Sequence, residues 1–338
     1  MTLNMVWFLL IAVLWTGYFV LEGFDFGVGI LLPVVGRTET DRRVAINTIG
    51  PVWDGNEVWL LVAGGATFAA FPEWYASLFS GFYLALLLIL VALILRGVAF
   101  EYRGKIDSDR WRRNWDIAIA VGSLVPALLW GVAFANIVQG VPLNAAHEFT
   151  GSLLTLLNPY ALLGGLATLL LFTLHGAVFL TLKTTGEVHA HAAGLAKRAG
   201  VLAVVIGGAF LLWTQAAHGH GWTLAAVVVA AAALVAGTVA VGRGREGWAF
   251  VLTALAIVAV TVTLFGSLYP DVLPSSTDPA YSLTIVNAAS TPYTLTIMTW
   301  VAVVFTPIVL CYQAWTFWVF RRRIGRHDIP AAAGLPAR

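Results

Sequence analysis

Four carboxylates stand where a long apolar sequence should carry none. Trp53-Asp54-Gly55-Asn56-Glu57-Val58-Trp59 opens one apolar run, and Glu22-Gly23-Phe24-Asp25-Phe26-Gly27 interrupts another. Within each pair the acids are three residues apart, so on a helix they share a face. Acids inside a bilayer are expensive to keep and, by default, mark a functional site. With water between them, Glu22, Asp25, Asp54 and Glu57 could relay protons, a recognised use of intramembrane carboxylates. Asn56, Arg96, Glu101, Asp116 and Ser123 are the polar residues able to support them. A plainer reading stays open, in which Arg96 neutralises one acid in a buried ion pair that only fixes helix positions.

Redox chemistry has fewer candidates. A haem needs axial ligands, yet six of the seven histidines (147, 189, 191, 218, 220 and 327) fall in loops or tails. His175 alone lies inside an apolar run, where a hydrogen-bonded core histidine is the favoured reading, and Met298 is the only methionine deep in a run. The single cysteine, Cys311, permits neither an intrachain disulfide nor a two-cysteine haem attachment.

The elements that must position these acids follow from composition. The 338 residues are 59% hydrophobic and 11% charged, whereas a soluble chain carries about 25% charge. Continuous apolar runs long enough to cross about 30 Å of hydrocarbon recur along the sequence, so the expected fold is an all-α polytopic membrane protein. The first run reads as a span and not a removable leader, because it is long and holds Glu22 and Asp25. Nine spans are predicted, at about 6–35, 52–71, 77–100, 115–138, 159–182, 199–216, 222–242, 247–267 and 293–320. They form one membrane domain over residues 1–320, followed by a basic tail over 321–338.

Charge sets the expected orientation. Eighteen of the nineteen Lys and Arg residues fall in the loops after odd-numbered spans and in the tail, and Arg96 lies near the same end of span three. The positive-inside rule then places the N-terminus outside and the tail in the cytoplasm. On that geometry Asp54 and Glu57 are shallow, and Asp25 lies roughly 15 Å deep, so the acids form a ladder from the cytoplasmic surface. Trp74, Trp111, Trp115, Trp222, Trp248 and Tyr269 fall at expected interfaces. Asn158-Pro159 reads as a cap and first residue of a helix. Gly23 and Gly27 give span one a small face suited to close packing.

Three motifs carry a family resemblance. Gly23-Phe24-Asp25-Phe26-Gly27-Val28-Gly29, Trp53-Asp54-Gly55-Asn56-Glu57-Val58-Trp59 and Arg96-Gly97-Val98-Ala99-Phe100-Glu101-Tyr102-Arg103 resemble subunit II of the cytochrome bd-type quinol oxidases. Ser80-Gly81-Phe82-Tyr83, Gly122-Ser123-Leu124-Val125-Pro126 and Gln139-Gly140-Val141-Pro142 fit as well. The resemblance is dense over spans one to five and looser beyond. It implies a haem-free subunit of a respiratory oxidase that oxidises quinol and reduces dioxygen to water. It implies two four-helix bundles plus a peripheral helix, and a partner subunit I that carries haems b and d. Small accessory subunits, lipid and quinone are further partners it allows; nucleic acid is not among them. Asp54 then matches a proton-path aspartate, Asp25 the acid of the Gly-Phe-Asp motif, and Trp53 a tryptophan lining a structural quinone site in some members. Glu57 stands where relatives carry glutamine.

Two other readings remain. A proton-coupled transporter could use the same acids, but its usual internal repeats are not visible. A structural scaffold for a catalytic partner would tolerate neutral residues at Asp25 and Asp54.

Overall fold

The structure is a computed structural model that describes residues 2–330 and 335–336. Hydrocarbon offers no partner to a backbone N–H or C=O, so a membrane chain satisfies those groups within helices. Eleven helices form among the described residues: α1 (Leu3–Val35), α2 (Glu39–Ile49), α3 (Trp53–Ala70), α4 (Pro72–Gly81), α5 (Tyr83–Tyr102), α6 (Asp109–Gln139), α7 (Pro159–Lys183), α8 (Gly186–His218), α9 (Thr223–Gly242), α10 (Glu246–Leu268) and α11 (Pro292–Val319). Eight of them, α1 and α5 to α11, are long and apolar enough to span a bilayer. The ninth expected span, α3, is 18 residues long, and Asp54, Asn56 and Glu57 in its first turns lower its hydropathy.

Local chemistry explains where helices start. Asn158 accepts from the Ala161 N–H at 2.9 Å with Pro159 at the first helical position, as the sequence predicts. Thr38 and Asp41 form a reciprocal capping box that starts α2, a helix in the segment between the first two expected spans. Only one face of α2 is apolar, through Val44, Ala45 and Ile49, and that face is buried. Expected span three proves to be two helices. The chain breaks at Phe82, whose buried ring lies beside Phe149. Helix α8 begins well before the expected residue 199, and its 33 residues rise about 50 Å.

Helix α1 is the central post, packed against α3, α6, α7 and α10. Close approach depends on its glycines. A Cβ at Gly27 would stand 2.1 Å from the Phe172 carbonyl oxygen and 2.7 Å from Gly176 Cα on α7. A Cβ at Gly17 would meet the Trp59 ring of α3 at 2.2 Å. Between α1 and α6 the rings of Trp15, Trp130 and Phe134 pack edge to face, at 4.9 Å from Trp15 to each of the others. Helices α7, α8, α9 and α10 each pack on the next, and α10 returns to α7.

Helix α11 stands apart, with Leu295 as its one fully buried residue. The outer faces of α3 and α5 are likewise exposed, at Leu61, Phe68, Leu84 and Ile94. Trp222, Trp248 and Tyr269 are exposed as interfacial anchors should be, but Trp74 is buried against Phe71. The basic loops meet at one end of the molecule. There Arg103 pairs with Glu39 and Asp116, Arg323 with Glu246, and Arg326 with Asp41 and Glu187.

Candidate functional site

Helices α1, α3, α5 and α11 bring the polar motifs to one level of the molecule. On α1, Glu22 and Asp25 are fully buried. From α5, Arg96 reaches Glu22 Oε1 through Nη1, and both side chains are sealed from solvent. The guanidinium passes between the Phe26 and Phe100 rings, 5.0 and 5.4 Å from their centroids. It can thread there because Gly122 of α6 lets α5 approach; a Cβ at Gly122 would stand 2.8 Å from Arg96 Cβ.

Asp25 is held by an amide chain. Asn56 Nδ2 donates to Asp25 Oδ2 at 2.7 Å, and Gln313 Nε2 of α11 donates to Asn56 Oδ1 at 3.0 Å. Among the described residues, four buried polar atoms in this cluster have no protein partner: Glu22 Oε2, Asp25 Oδ1, Arg96 Nε and Arg96 Nη2. Buried polar atoms are normally paired, and ordered water is the usual partner where protein supplies none.

The Asn56–Asp25 bond revises the expected ladder. Asn56 lies in the first turn of α3, and Asp25 is ten residues from the end of α1. The last turns of α1 therefore run about 10 Å past the level at which α3 begins. Helix α2 makes up the difference by folding back along α1. Asp54 and Glu57 thus stand level with Asp25 and Glu22, beside them and not beneath. Asp54 is exposed and Glu57 half-buried. Glu57 is within electrostatic reach of Glu22, Arg96 and Asp54.

Other expected residues fall outside the cluster. Glu101 is exposed at the end of α5. Ser123 donates to the Ile119 carbonyl at 2.8 Å and packs beneath Gly29. Trp53 is half-buried against Phe100, at 5.0 Å and 44° between rings, and against Gly97. Both ring nitrogens of His175 are engaged, Nδ1 with Thr253 Oγ1 at 2.8 Å and Nε2 with the Val20 carbonyl at 3.2 Å, while the ring stacks on Phe250. It is a satisfied core histidine. Among the described residues no group of three or more His, Cys, Asp or Glu could hold a metal ion.

Sequence reasoning missed Gln313. A lone carboxamide within an apolar span was the available signal. It also missed that Asp116 and Glu39 share Arg103, with bonds of 2.6 Å to Asp116 Oδ1 and 2.8 Å to each Glu39 oxygen.

Comparison with known proteins identifies the family and the fold. A family profile described as cytochrome bd terminal oxidase subunit II matches residues 3–320. Cytochrome bd-I ubiquinol oxidase subunit 2 of Escherichia coli (strain K12) is 38% identical, over 97% of this chain and 96% of the relative. Cytochrome bd ubiquinol oxidase subunit 2 of Bacillus subtilis (strain 168) is 39% identical, over 97% and 98%. The solved bd oxidase from Geobacillus thermodenitrificans includes a chain that shares the fold. That match has a TM-score of 0.78 and 18% identity, and covers 95% of this chain and 99% of that one.

Proposed function

This chain belongs to the cytochrome bd terminal oxidase subunit II family, and from that premise we propose that it is the haem-free subunit of a quinol oxidase, supplying the oxygen-reducing partner with protons. It is a multi-pass protein of the bacterial cell membrane, part of an oxidoreductase complex. In the proposed arrangement α3 is the ninth span, the helices form two four-helix bundles with α11 at the periphery, and the base-rich end faces the cytoplasm. Subunit I, bearing haems b and d, docks on the exposed faces of α3 and α5, and small accessory subunits take what apolar surface remains. Trp53 and Phe100 offer an aromatic shelf to which a structural quinone ring fits by stacking.

One observation carries the proton reading: four acids of two helices stand at one level with buried carboxylate oxygens, Glu22 Oε2 and Asp25 Oδ1, left without protein partners. Asp54, in the first turn of α3, takes protons in, and Glu57 passes them inward. Arg96 holds Glu22 in place, while Asn56, braced by Gln313, holds Asp25. Waters on the unpaired oxygens would complete the relay towards the partner.

The scaffold reading shares every one of these contacts and differs only in turnover. The test is oxygen consumption by the copurified complex with a quinol donor, with haem quantified in the same preparations. Asp54→Asn and Asp25→Asn should keep their haems and slow turnover by roughly a hundredfold, the lower range for losing a positioned proton-transfer group. Lost haems would make the acids a subunit clamp, and full activity would remove them from the mechanism.

A further inference from the structure

A cavity of about 230 Å3 opens at the base-rich end, far from the buried acids. It lies between the first turns of α8 and the α9–α10 turn, and Thr181, His189, Ala193, Lys197, Gly244 and Glu246 line it. His189, Ala193 and Lys197 are spaced four apart, so they form one face of α8. The turn opposite leaves room for an occupant. Gly244 has φ +67°, and nothing lies within 4 Å of where its Cβ would stand. The volume is several times the roughly 30 Å3 share of one water.

Charge at the cavity is lopsided. Glu246 already meets both His189 Nε2 and Arg323 Nη2, so its charge is answered from within the protein. Lys197 meets no carboxylate among the described residues, and neither do neighbouring Arg198, Arg243 and Arg245. Helix α10 also starts at this rim without a side-chain cap, leaving first-turn N–H groups free to face an anion.

Depth identifies the source of that anion. Helix α8 rises about 50 Å, roughly 20 Å more than the hydrocarbon thickness. Its first turns therefore lie beyond the apolar core, and Lys197 with Arg198 marks the boundary. Trp248, 65% exposed on the first turn of α10, is suited to an interfacial anchor. We propose that this cavity binds the phosphate of an anionic phospholipid headgroup, with Lys197 as its principal donor and the α10 N-terminus as its second. Basic pockets between membrane helices at this depth suit such headgroups.

The test uses the whole oxidase complex in nanodiscs of phosphatidylcholine alone or mixed with phosphatidylglycerol, counting retained lipids by native mass spectrometry. Wild type should retain one phosphatidylglycerol that Lys197→Ala holds about fivefold more weakly, the effect of one basic residue near a lipid surface. Lys197 is exposed, so its replacement does not disturb the core. Lys197→Arg should restore retention, and Ala193→Trp, which fills the cavity but keeps every charge, should abolish it. Inorganic phosphate added to delipidated complex separates the two phosphate sources. Thermal protection by phosphatidylglycerol that inorganic phosphate does not reproduce supports the headgroup assignment. Equal retention by wild type and Lys197→Ala would overturn it, as would protection by inorganic phosphate alone.

Discussion

Arg96 is fully buried, yet only one of its three guanidinium nitrogens has a partner among the described residues. It faces two carboxylates, Glu22 by direct contact and Asp25 through space. Removing one member of a buried pair leaves the other uncompensated and costs about 3–5 kcal/mol, whereas replacing both by apolar or neutral groups costs far less. Arg96→Met should therefore destabilise the assembled complex by about that amount in thermal or denaturant melts. Glu22→Gln added to Arg96→Met should recover much of the loss. Simple additivity of the two changes would mean that Arg96 serves another partner. Phe26, which with Phe100 sandwiches the guanidinium, should behave differently. Truncation of Phe26 removes packing without freeing a charge, so the turnover of surviving complex should change little.

At the scale of helices, glycine decides where backbones touch and where they are left open. Gly27→Ala forces a methyl against the Phe172 carbonyl and Gly176 backbone, neither of which has a side chain to swing aside. The α1–α7 pair must separate, and such overpacking costs about 1–3 kcal/mol or more; a lowered melting temperature and yield would register it. Gly65 on α3 is the converse, exposed with nothing within 4 Å of its Cβ position. Gly65→Ala should leave this subunit's fold intact or firm α3 by up to about 1 kcal/mol. Gly65→Trp should fold as well but copurify less haem-bearing partner, provided that partner covers this face. Undiminished copurification would move the docking surface elsewhere. Hydropathy and cap residues made the long helices legible in the sequence, Asn158-Pro159 down to the residue. Helix α2 was not legible, because Asp41, Arg42 and Arg43 hide a narrow apolar face. Nor was the level at which α3 starts, since periodicity locates a helix along the chain and not its height beside a neighbour. Gln313 joined the acids only once α11 was seen lying against α3. All four acids, by contrast, were visible from residue type and spacing alone.

The molecule as a whole fastens its least buried helix at its ends: Trp7 Nε1 donates to the Leu295 carbonyl at 3.2 Å and to Thr299 Oγ1 at 3.1 Å near the start of α11. Along α11 the membrane contacts are few, but the segment after it is tied down repeatedly. Arg326 donates to both Asp41 oxygens at 2.7 and 2.9 Å and to Glu187 at 2.6 Å. Lys183 reaches the Phe320 carbonyl, and Arg43 donates to the Pro330 carbonyl at 2.7 Å. This strap keeps Gln313 in register with Asn56, so loosening it should be felt at the acid cluster. The hydrogen bond from Arg326 holds Asp41 below the usual carboxylate range, against the opposing effect of burial. Carboxyls depressed in the folded state add stability that is complete above their unfolded values and lost as pH falls through the folded ones. The strap should accordingly stay closed at neutral pH and open only below about pH 4, the ordinary Asp and Glu range. Hydrogen exchange over residues 320–330 measures this directly. Protection that persists to mildly acid pH and then collapses fits carboxylate control. Collapse already near neutrality would exclude Asp41 as the governing group. Asp41→Asn should release the tail at neutral pH without any acid, and Gln313 should then lose its hold on Asn56. Slower oxygen consumption in that variant, with haem content unchanged, would tie the basic tail to the buried acids through α11.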